Sequence, residues 1–134
     1  MDGLSSTMNA WAPQMRSVLR IMAALLFLQH GLAKFFGFPM AMQTPAAFSL
    51  IWFAGVIEVV GGILLAIGLF SRYAAFIMSG QMAVAYFYLG RPMRSFFPLA
   101  NQGELEVLFC FVFLYLAFAG PGPWSVDAQR TSNP

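Results

Sequence analysis

Glu58 is the carboxylate in a long apolar run, Ala46 to Phe70. At that depth in a bilayer an acidic side chain costs about 2.5–3.5 kcal/mol unless it faces a partner or a wet cavity. His30 and Lys34 are four residues apart and so stack on one helix face. A carboxylate that meets an imidazole or an ammonium away from bulk water can exchange protons near neutral pH. That chemistry suits proton-coupled redox at a quinone, or a proton relay. The expected catalytic set is therefore Glu58, His30 and Lys34, with Glu58 and His30 holding the head group of a lipophilic ligand between helices. Gln81, Asn101 and Glu104 are the expected ligand-binding polar groups, in a funnel that opens outward with Glu58 near its floor. Gly55 and Gly62 lie seven residues apart and share a face with Glu58, flat enough for a second helix or a ligand to approach closely.

Each of these residues also has a plainer role. Lys34 can snorkel to head groups. His30 and Gln81 can be interhelical hydrogen-bonding groups. Glu104, three residues after Asn101, fits a helix cap. Glu106 and Arg91 fit a solvated rim, and a static Glu58 ion pair can simply hold helices together. One histidine and one cysteine, Cys110, on separate segments make no heme or zinc site on their own, which leaves only a site shared between subunits. No Gly-x-Gly-x-x-Gly fingerprint for a flavin or nicotinamide is present.

The elements that must position these groups follow from composition. Of 134 residues, 60% are hydrophobic and only 9% charged, and the mean hydropathy is +0.73. Soluble domains carry about 25% charged residues, so this composition implies an integral membrane protein. Crossing a bilayer takes about 20 apolar residues, which leaves room for about four crossings and no soluble catalytic domain. The expected fold is all-α, an integral membrane antiparallel four-helix bundle. Its spans are expected near 15–36, 46–70, 73–89 and 104–119, between a polar segment 1–14 and a polar tail 125–134. Arg20, Ala23, Phe27, His30 and Lys34 trace one stripe that should point inward. Thr44-Pro45 reads as the start of the second span, and Ser71-Arg72 as a tight turn into the third. Four crossings put both termini on one side. Arg16, Arg20, Arg72 and Arg130 fall there, against Lys34, Arg91 and Arg94 opposite, which favours cytoplasmic termini. The basic residues are too scattered for nucleic-acid binding.

These landmarks resemble the DoxX family of small bacterial membrane proteins. The resemblance rests on Phe27-Leu28-Gln29-His30-Gly31 with Lys34, on Gly55-Val56-Ile57-Glu58-Val59-Val60-Gly61-Gly62, and on Gly68-Leu69-Phe70-Ser71-Arg72. It continues through Phe97-Pro98, Asn101-Gln102-Gly103-Glu104 and Gly120-Pro121-Gly122 to Trp124, Ser125 and Asp127. Gln102 departs from it, standing where a small residue such as glycine is expected. The resemblance implies a multi-pass protein of the bacterial inner membrane. Its relatives include the quinone-reducing subunit of a thiosulfate:quinone oxidoreductase, and others linked to soluble oxidoreductase partners. Three readings follow: a redox subunit that binds a quinone, a non-enzymatic anchor or assembly partner for a soluble oxidoreductase, and a small proton-linked transporter. The last needs a homo-oligomer formed through small-residue faces.

Overall fold

The computed structural model describes residues 2–132, and every regular element among them is a helix. The chain forms α1 (Asp2–Phe36), α2 (Leu50–Ile67), α3 (Ser71–Tyr88), the short α4 (Arg91–Arg94) and α5 (Pro98–Asn101), α6 (Glu104–Ala119) and α7 (Val126–Ser132). Among the described residues, α1 and α2 are long and apolar enough to cross a membrane. The segment expected to be a separate polar stretch before residue 15 is helical and continuous with α1. Once a helix is nucleated, each further residue gains one hydrogen bond for the one residue it fixes, and Pro13 interrupts that ladder without ending it, removing the bond its amide would have made to the Asn9 carbonyl and crowding that carbonyl.

α1 packs antiparallel on α2, and α3 antiparallel on α6; α2 meets α3 more lightly. The first contact is made by glycines. A Cβ on Gly31 would stand 2.7 Å from Val59 and 2.9 Å from Glu58, and one on Gly62 would stand 2.9 Å from Leu28. The flat face of α2 is thus filled by α1 of the same chain. Lipid is as apolar as leucine, so this close packing, rather than exclusion from water, holds the helices. The core continues through Phe27, edge-on to Phe109 and Phe113 at 5.7 and 5.1 Å, while those two rings stack at 5.4 Å. Arg20, Ala23 and Phe27 of the expected inward stripe are buried.

The helix ends depart from the sequence expectations in three places. α2 starts at Leu50, not at Thr44-Pro45: Phe48 adopts a left-handed φ of 63°, and Ser49 caps the helix by accepting from the Trp52 amide at 3.2 Å. The α2–α3 turn is Gly68-Leu69-Phe70, not Ser71-Arg72. Gly68, at φ 78°, and Leu69 both return their amides to the Leu64 carbonyl. Asn101 does not cap α6, whose first residue follows Gly103 with no side-chain cap. Its Oδ1 instead accepts from the Gly103 amide at 2.8 Å, while its Nδ2 donates to Tyr86 Oη at 2.7 Å and to the Ser95 carbonyl at 3.0 Å.

At the end where α7 lies, the segment after α6 straps the two helix pairs together. Buried Arg20 donates to the Leu65 carbonyl at 2.8 Å, to Trp124 at 2.8 Å and to Pro121. It thereby satisfies carbonyls at the C-terminus of α2, where a cation is favoured. Arg72 does the same for α6 through Ala117 and Phe118. Asp127 accepts from the Phe70 and Ser71 amides at 2.9 and 2.8 Å and so caps α3. Burial alone would raise the Asp127 pKa, but those two amides, the Ser71 side chain and the Arg130 charge outweigh it and hold the carboxyl below its ordinary value.

Candidate functional site

Away from this strap, α2 and α3 part and leave a cavity of about 530 Å³. All four long helices line it. α1 contributes Phe27, His30 and Lys34, α2 contributes Ile57 and Glu58, α3 contributes Gln81 and Tyr88, and α6 contributes Glu106 and Phe109. The lining is otherwise almost wholly apolar, and its rim is made of exposed side chains such as Leu50, Phe53 and Val84.

Glu58 is 4% exposed. It is reached by Lys34, whose Nζ donates to Oε1 at 2.7 Å and to Oε2 at 3.0 Å. Lys34 sits in the last turn of α1, and its stem crosses Gly55, where a Cβ would stand 3.5 Å from Cδ. The ammonium therefore reaches inward to Glu58 rather than outward to head groups. Gln81 closes the group from α3: its Nε2 donates to Glu58 Oε2 at 3.2 Å and to the Ala54 carbonyl at 3.3 Å. Both partners are acceptors, so the amide orientation is fixed by them. Its Oε1 is buried with no protein donor among the described residues.

His30 does not pair with Glu58. Its Nδ1 donates to the Leu26 carbonyl one turn back at 3.0 Å, which in the neutral ring leaves Nε2 as an acceptor. His30 lines the cavity beside the ion pair. Glu58, Lys34, His30 and Gln81 are thus brought to one cavity, whereas Asn101, Glu104, Gly55 and Gly62 are not among its lining residues. Glu104 is exposed. Gly55 accommodates the Phe35 ring, and Gly62 accommodates Leu28. Glu106, read from sequence as a solvated rim, is instead 9% exposed and paired with Arg91 at 3.0 Å. A carboxylate two residues into an apolar helix was the available signal, since spacing alone could not reveal the arginine that meets it. Among the described residues no cluster of metal-ligating side chains forms.

Chemically, the wall offers a buried carboxylate already neutralised by an ammonium, two acceptors at Gln81 Oε1 and His30 Nε2, and a deep apolar surround. That combination orients one polar group of an otherwise greasy molecule.

A family model described as DoxX matches residues 15–91. An "Uncharacterized protein" of Haemophilus influenzae is 43% identical over 127 residues, covering 91% of this chain and 95% of its own length. An "Uncharacterized membrane protein" of Mycobacterium tuberculosis is 26% identical over 142 residues, covering 94% of this chain and 87% of its own. No solved structure matches the chain.

Proposed function

The chain belongs to the DoxX family of membrane proteins, and from that premise we propose that it is a redox-linked membrane subunit that binds a quinone, or a similar lipophilic ligand, beside Glu58. The four long helices each cross the bacterial inner membrane, antiparallel to their neighbours, with both termini in the cytoplasm. The ligand enters laterally from the bilayer past the apolar rim and presents its polar head to Glu58, Lys34, His30 and Gln81.

One observation carries this reading. A neutralised charged cluster stands on the wall of an apolar cavity of about 530 Å³, within the size range of small-molecule sites. An ion pair serving only to hold helices together would be expected at a closed contact. The chain supplies binding, orientation and charge, and the electron donor is a separate protein or small molecule.

Solvent extraction and mass spectrometry of detergent-purified protein test the proposal. Wild type should carry a quinone at near one per chain, and Glu58→Gln and His30→Ala should lose it while keeping their helical content. No lipophile in wild type, with all three proteins folded, would refute it and favour the anchor reading.

A further inference from the structure

From Leu4 to Leu25, α1 carries an apolar seam that no other described residue covers. Leu4, Trp11, Val18 and Leu25 recur every seven residues, and Met8, Met15 and Met22 fall between them, giving an unbroken 4-3-4-3-4-3 spacing. All seven are exposed, from 38% to 62%. The face opposite is the one used inside the chain, where Ser17, Arg20, Ala24 and Phe27 are buried. At 35 residues α1 is about 52 Å long, against a hydrocarbon core of about 30 Å. Its first turns therefore stand in water. Asp2 through Ala12 are all exposed, with no tertiary packing to support them.

We infer that this seam pairs with the same seam of a second copy, forming a parallel, in-register coiled coil that begins outside the membrane and continues into it. Three features favour that occupant. A strict seven-residue repeat is met by a supercoiled partner, and from Leu4 to Met15, before Leu19 and Leu26 widen the exposed apolar face, the stripe is narrower than the apolar arc of an ordinary packed helix. Two copies inserted with the same orientation present α1 to one another in parallel, as a two-fold axis along the membrane normal requires. The positions flanking the seam in the first turns, Ser5, Thr7, Ala12 and Gln14, are uncharged, so identical chains meet without repulsion. A helix lying flat on the lipid surface would need basic residues on its polar face, and residues 2–15 carry one charge, that of Asp2. The glycine face of α2 cannot serve this purpose, because α1 already fills it.

Disulfide trapping of the full chain in its membrane tests the pairing. In a Cys110→Ala background, single cysteines at the seam (Leu4→Cys, Met8→Cys, Trp11→Cys) are oxidised with copper phenanthroline beside off-seam controls (Ser6→Cys, Ala10→Cys). Same-position dimers should form at least fivefold faster on the seam than off it. Equal rates at all five positions, or no dimer at any, would overturn the inference. Strong quenching of wild-type Trp11 by brominated lipid, without trapping, would place the stripe in the bilayer and overturn it as well.

Discussion

The sharpest consequence of the site geometry concerns the Lys34–Glu58 pair. At 2.7 and 3.0 Å, and with an effective dielectric constant of about 20, the Coulomb attraction is about 6 kcal/mol. Removing each ion from water costs several kcal/mol, so the intact pair contributes little net stability. Removing one partner is different, because it leaves the other charged and enclosed. Lys34→Met should therefore lower unfolding free energy by about 3–5 kcal/mol. Glu58→Gln should lower it less, because a glutamine keeps an acceptor for Lys34 and for Gln81. The double variant Lys34→Met/Glu58→Gln should return to within about 1–2 kcal/mol of wild type, an interaction energy of at least about 2 kcal/mol in a double-mutant cycle. Equilibrium unfolding in mixed micelles, followed by circular dichroism, measures all four proteins. Additive losses would refute the reasoning, for they would mean that solvent rather than Glu58 compensates Lys34.

Three further outcomes are expected. Gly31→Ala places a methyl within 3.0 Å of the Val59 backbone, so α1 and α2 must separate at a loss of about 1–3 kcal/mol, whereas Gly80→Ala, with open space around it, should be unchanged or gain up to about 1 kcal/mol in the same unfolding assay. Arg20→Met strips hydrogen bonds from Leu65, Pro121 and Trp124 and should cost at least about 3 kcal/mol, with Arg20→Lys only a partial rescue because the forked geometry is lost. Asp127→Asn weakens the α3 cap by about 1 kcal/mol, an effect limited by solvent screening. Since the Asp127 carboxyl titrates below its ordinary value of 3.8 when folded, its stabilisation is complete above that value and fades as pH falls through it. The wild-type advantage over Asn should be constant from pH 7 to about 5 and shrink below pH 4.

The features that could be read in advance were those of high contrast. A carboxylate and paired glycines in an apolar run announced the α1–α2 contact, and a stripe of Arg20, Ala23 and Phe27 announced the buried face of α1. Residues with two uses were harder. Thr44 and Ser49 both make good caps, and the choice fell to Ser49 because Phe48 turns left-handed before it. Asn101 had the spacing of a capping residue, yet Tyr86 and Ser95 approach from elsewhere and claim its amide. Glu106 looked solvated until α4 delivered Arg91 to it. Either Lys34 or His30 could have met Glu58 by spacing alone; the longer reach of Lys34 takes that position, and the imidazole turns to its own helix. Each miss depends on a partner brought in by tertiary folding, which local pattern does not encode.

The strap at one end and the cavity at the other give the two helix pairs the layout of a clothes-peg. Arg20, Asp127 and the Gly120–Trp124 segment are the spring, and Arg20 grips α2 at Leu65, about 10 Å along the helix from Glu58 and about 22 Å from its far end at Leu50. A rocking of about 5° about that point would carry the free tips roughly 2 Å apart, enough to widen a slot for a flat ring at the expense of the Gln81 bonds to Glu58 and Ala54. Leverage of this kind also runs backwards. A partner that gripped the strap, beside α7, would set how far the jaws open.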